Sequence, residues 1–130
     1  MSYIKTYKDL IVWQKSMEVV EIVFKETKSF PGSELYGLVS QMKRAAVSIP
    51  SNIAEGFGRN SPKEFAQFYS ISYGSALELE TQLIIAKRIG YLNEEGYKKI
   101  TALLNEVLKI LNKMVFINRE NAKRKLTPSS

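Results

Sequence analysis

A chain of 130 residues is long enough for one hydrophobic core and short for two. Its 45% hydrophobic and 25% charged residues exclude wholesale disorder. The absence of both cysteine and histidine removes disulfides, thiolate nucleophiles, the commonest general base and the commonest transition-metal ligand. The net charge is +6, with residues 109–125 holding Lys109, Lys113, Arg119, Lys123, Arg124 and Lys125 against Glu120 alone.

The first periodic segment covers about residues 9–28. Leu10, Trp13, Met17, Val20, Phe24 and Thr27 recur at alternating spacings of three and four, the pattern of a helix seam. Val12, Ser16, Val19 and Val23 form an adjacent stripe. Phe30-Pro31-Gly32 then stops the helix, since proline lacks the donor that the next turn needs.

The second segment is expected over 33–57. Ser33 is its N-cap candidate, and Leu35, Leu38, Met42, Ala45 and Ile49 make its seam. Pro50 falls inside the run and predicts a kink or short break there. The third segment, 61–90, opens on Ser61-Pro62-Lys63-Glu64, a capping box with proline at the first helical position. Its seam is Phe65, Phe68, Ser72, Ser75, Leu79, Gln82, Ala86 and Ile89, and Gly90 ends it.

The fourth segment, 93–118, starts at the N-cap candidate Asn93. Tyr97, Ile100, Leu104, Val107, Leu111 and Met114 form one seam, while Leu103, Ile110, Ile117, Leu108 and Val115 widen the apolar arc. That arc exceeds what one bundle core normally requires and points to assembly with further copies. Residues 119–130 read as a basic, disordered tail. Its charge is compatible with capture of nucleic acid or an acidic partner, and equally with a solvated terminus.

Four such helices joined by short loops define an all-α fold, an antiparallel up-down-up-down four-helix bundle with a kinked second helix. The opening residues lack the apolar core of a signal peptide, and no stretch approaches the roughly 18 apolar residues of a membrane span, so a cytoplasmic protein away from membranes is expected.

Chemistry finds little to build on. Di-iron bundles need histidine, and Glu78 and Glu80, two residues apart, point to different faces of one helix. Phosphate-cradling glycine motifs are absent, and Gly56-Phe57-Gly58 reads as a turn. The expectation is no enzyme, no metal and no cofactor, with a carboxylate-bound magnesium ion as the one loophole. Polar groups at interior-like positions stand out instead. Antiparallel pairing about residues 58–61 brings Arg44 level with Ser75 and Glu78, and Asn52 level with Gln67 and Phe68. This suggests an Arg44–Glu78 ion pair, within either a network that fixes register or a functional surface. Lys43, Arg44, Arg59, Lys63, Lys87 and Arg88, basic residues with aromatic neighbours, are the candidates for phosphate contact.

The block from Gln41 to Gly56, QMKRAAVSIPSNIAEG, with Trp13-Gln14, Phe30-Pro31, Glu34-Leu35-Tyr36-Gly37-Leu38, Glu64-Phe65, Gly74-Ser75, Glu78-Leu79-Glu80 and Gly90-Tyr91, resembles a known family. These are the bacterial four-helix-bundle proteins encoded in intervening sequences of 23S ribosomal RNA genes. That family is similar to the accessory variability determinant proteins of diversity-generating retroelements. The resemblance implies a homopentameric ring with a positively charged surface, and nucleic acid or a reverse transcriptase as partner. It carries over Arg44, Ser48, Asn52, Glu55, Ser75, Glu78 and Glu80 as a polar network of motif positions, and none of them as catalytic. A protein–protein scaffold that touches no nucleic acid is the other reading.

Overall fold

The computed structural model describes residues 3–126, with side chains through Arg124. Among these residues lie four α-helices and no strand: α1 Ile11–Glu26, α2 Leu38–Phe57, α3 Pro62–Arg88 and α4 Glu94–Leu126. Each helix packs on its neighbour in sequence, and α1 closes the bundle against α4. The register is antiparallel throughout the tied pairs. Ser48 meets Ser75 between α2 and α3, Lys15 meets Glu106 between α1 and α4, and both Lys87–Glu94 and Ser70–Arg119 join α3 to α4.

The core is aliphatic. Val19, Val23, Met42, Ile49, Ile53, Leu79, Leu83, Ile100, Leu104, Val107 and Leu111 are almost wholly withdrawn from water. Each large aliphatic side chain buried this way stabilises the fold by roughly 1.5–3 kcal/mol. Helix ends are set by local chemistry. Ser61 accepts from the Glu64 amide, and the Asn93 Oδ1 accepts from the Gly96 amide at 2.8 Å. At the end of α3, Gly90 adopts φ +86°. Its amide donates to the Lys87 carbonyl and that of Tyr91 to Ala86, a Schellman closure that an L-side chain would strain.

Several expectations are corrected. In α1 the buried line is Val12, Ser16, Val19 and Val23, the stripe beside the expected seam, and of the seam itself only Thr27, just past the helix end, is buried. The small side chains of the stripe allow close approach, and the hydroxyls of Ser16 and Thr27 are satisfied by carbonyls of α1. Trp13 and Met17 fall to the boundary, and Phe24 is exposed beneath the Lys43 ammonium, 4.7 Å from its ring centre. The second helix starts at Leu38 rather than Ser33. Residues 32–34 make a 3₁₀ turn and Leu35 and Tyr36 lie in solvent, so they gain no packing to hold a helix there.

Pro50 does not break α2, which runs continuously across it with the proline buried. The neighbouring Ile49 carbonyl takes an additional hydrogen bond from Ser72 at 2.8 Å.

The fourth helix continues through 119–126, where a tail was expected. Arg119, Glu120, Ala122, Lys123 and Arg124 include strong helix formers with no breaker among them. Residues 127–130 lie outside the described residues. The wide arc of α4 is also mostly absorbed within the bundle. Val115 is buried and Leu103, Leu108 and Ile110 pack against the core, leaving Phe116 and Ile117 in solvent. Exposed apolar side chains also stand on α3 at Ile71, Leu77 and Ile85, and at Ile89 just past its end.

Candidate nucleic-acid interface

The α2–α3 seam gathers part of the expected polar network. Ser48 and Ser75 share a hydrogen bond of 2.8 Å, and Asn52 Nδ2 donates to the Ser48 hydroxyl and carbonyl at 3.0 and 2.9 Å. The register therefore sets Ser48, not Arg44, against Ser75, and Arg44 level with Glu78. Arg44 and Glu78 are both exposed and form no ion pair. Exposure removes the reason for one, since two solvated charges gain little by meeting. Glu78 accepts instead from Gln82 Nε2 at 3.3 Å, and the buried Gln82 Oε1 has no donor. Glu55 pairs with Arg59 at 2.9 Å, and Glu80 is half-buried on α3 away from the serine cluster's hydrogen bonds. This seam fixes register and offers no group poised for chemistry.

The six cations expected to contact phosphate do not share a surface. Lys43 covers Phe24, and Arg44 stands exposed on α2. Arg59 is held by Glu55 and lies 4.5 Å over the Phe68 ring. Lys87 pairs with Glu94 at 2.6 Å and lies 4.6 Å from the Tyr97 ring centre, with Arg88 beside it in a shallow recess. The hydrogen bond from Lys87 holds the Glu94 carboxyl below the ordinary carboxylate range. Lys63 sits at the other end of α3, about 36 Å from Lys87 at 1.5 Å per residue.

Lys63 has different company. Where the first turns of α3 meet the last turns of α4, it lines a groove of about 560 Å³ with Arg119 and Lys123. Ala66, Ile71 and Ala122 give that groove an aliphatic floor. Arg119 Nη2 donates to the Ser70 hydroxyl at 3.3 Å, which steadies the guanidinium at the rim. Farther along α4, Lys109, Lys113 and Phe116 line a second recess on the same helix. The 109–125 charge cluster is plain in the sequence, but a disordered tail over 119–130 would place Arg119 and Lys123 off any fixed surface. The helix-forming composition of that segment was the signal that could have found this site.

Three cations convergent on a groove suit a phosphate-bearing ligand: the charge attracts it and the guanidinium can bind it through paired N–H groups. Among the described residues no three carboxylates gather so as to hold a metal ion, and no helix is long and apolar enough to cross a membrane.

Fold and groove together define a small helical bundle with a cationic end. The chain belongs to the family of 23S rRNA-intervening sequence proteins, whose family model matches residues 8–113. It is similar to a protein of unknown function from the S23 ribosomal protein family of Bacteroides thetaiotaomicron. That crystal structure aligns with a TM-score of 0.73 at 27% identity, over 81% of this chain and 98% of the other. No curated protein matches the chain.

Proposed function

We propose that this protein is a non-catalytic, cytoplasmic bundle that self-associates and binds nucleic acid through the phosphate backbone. The supporting observation is the meeting of Lys63, Arg119 and Lys123 at one groove, continued along α4 by Lys109 and Lys113. Such a surface supplies affinity with little base readout, because phosphates carry no sequence information. Self-association is supported by the exposed Leu77 and Ile85 on α3 and Ile89 just past its end, apolar surface without a partner in the single chain. The resemblance to the pentameric families suggests five copies, about 74 kDa or five times the 14.8 kDa chain.

The same apolar surface favours a second reading, a scaffold that engages a protein such as a reverse transcriptase without touching nucleic acid. A gel-shift titration with structured RNA at two salt concentrations separates the two. The leading reading expects a shift that weakens steeply with salt, and absence of a shift at low salt would reject it. Mass measurement in solution tests assembly: a monomer at micromolar concentration contradicts it.

A further inference from the structure

Phe116 is 65% exposed, the most solvent-accessible large apolar side chain within the four helices among the described residues. It is not a stray from the core: Leu111 and Val115 fill the buried side of that turn. What surrounds Phe116 on the outer face is basic. Lys113 precedes it by three residues, Lys109 by seven, while Arg119 follows by three and Lys123 by seven, spacings that put all five on one side of the helix. Lys109 to Lys123 spans about 21 Å of helix axis, room for a strand of roughly four nucleotides.

We infer that this outer face of α4 is a platform for single-stranded nucleic acid, with a base stacked on Phe116 and the adjacent phosphates held by Lys109, Lys113, Arg119 and Lys123. The inference rests on the nucleic-acid reading above and narrows it to one class. An exposed ring gains contact only from a base whose face is open, which a single strand offers and a duplex hides within its stack. The cations alone serve either form. Glu120 lies on the same face and approaches Lys123 at 3.6 Å, so a bound phosphate competes with that carboxylate for Lys123.

The test is fluorescence anisotropy on the full chain with a labelled 12-nucleotide oligouridylate and a mixed-sequence RNA duplex of equal length. The wild type is expected to bind the single strand more tightly. Phe116→Leu, which keeps apolar bulk but removes the ring, is expected to weaken single-strand binding by about 5- to 100-fold and leave duplex binding unchanged. Phe116→Tyr restores the ring and is expected to stay within about 2-fold of wild type, since every base stacks on any aromatic face. The side chain is solvated, so all variants should keep wild-type helicity, which circular dichroism checks. If Phe116→Leu binds the single strand like wild type while Lys113→Gln still weakens it, the platform is overturned and general phosphate binding survives. If neither RNA binds at low salt, both readings fall. If polyglutamate competes as well as the oligouridylate, the face is a generic anion surface and the platform is likewise overturned.

Discussion

Replacing Gly74 and Gly56 by alanine, one at a time, makes the same chemical change in opposite surroundings. Both glycines lie inside helices, where alanine is favoured by about 1 kcal/mol. At Gly74, on the exposed side of α3, a new Cβ meets nothing within 4 Å. Gly74→Ala should therefore keep the whole gain, about 0.5–1 kcal/mol, or a rise in Tm of about 3–5 °C. Gly56 is buried where α2 reaches α3, and a Cβ there would sit 2.8 Å from Tyr69 Cε1 and 3.0 Å from Phe68 Cβ. The ring can yield only by disturbing its own packing, and overpacking of this kind costs about 1–3 kcal/mol. The propensity gain offsets part of that, so Gly56→Ala should lose about 1 kcal/mol net. Urea and thermal unfolding followed by circular dichroism, at two protein concentrations, measure both. Equal stabilisation by the two substitutions would refute the close approach of α2 to α3. Destabilisation by Gly74→Ala at both concentrations would refute the open surroundings of Gly74.

Leu104 is fully buried, so Leu104→Ala should cost about 3–4 kcal/mol and lower Tm by more than about 10 °C in the same assay. Gln82→Leu removes a buried carbonyl oxygen that finds no donor and releases only the solvated Glu78, so it should be neutral or stabilise by up to about 1 kcal/mol. Burial pushes the Tyr69 phenol above its ordinary 10.0, favouring the protonated form in the folded chain. That contribution is complete below about pH 10 and lost as pH rises through the raised value, so Tyr69→Phe should soften alkaline unfolding, read from stability against pH. Glu94 has the opposite sign: its contribution is present above the ordinary carboxylate value of 4.5 and lost as pH falls through the lowered one. Glu94→Gln should therefore flatten the acid limb of the same profile.

The helix order, the capping of α3 by Ser61, the Gly90 stop and the α4 core line were legible in the sequence. Each rests on local chemistry or on a strong 3–4 periodicity. In α1 two adjacent apolar stripes had equal periodicity, and only packing decides that the smaller side chains of Val12, Val19 and Val23 turn inward. The start of α2 misled because Ser33-Glu34 has cap chemistry without an apolar face to anchor a first turn. The Arg44–Glu78 pair failed on exposure, a tertiary property: the Ser48–Ser75 and Ile49–Ser72 contacts bring the two residues level, but both side chains stand in solvent. At the candidate interface, Lys63 was legible as a cation but not its neighbours. That Arg119 and Lys123 face it follows from how far α4 runs back along α3, a length the fading apolar pattern concealed.

The most direct test of a phosphate-holding basic end is the salt dependence of RNA affinity in charge-neutral variants of its two extremes. A Lys63→Gln, Arg119→Gln, Lys123→Gln variant should bind more weakly, with the slope of log affinity against log salt shallower by about 2, near 0.7 per lost contact on a single strand. A Lys87→Gln, Arg88→Gln variant should leave affinity and slope essentially unchanged. An unchanged slope in the first variant, or a loss confined to the second, would contradict the assignment of nucleic-acid binding to the groove between α3 and α4.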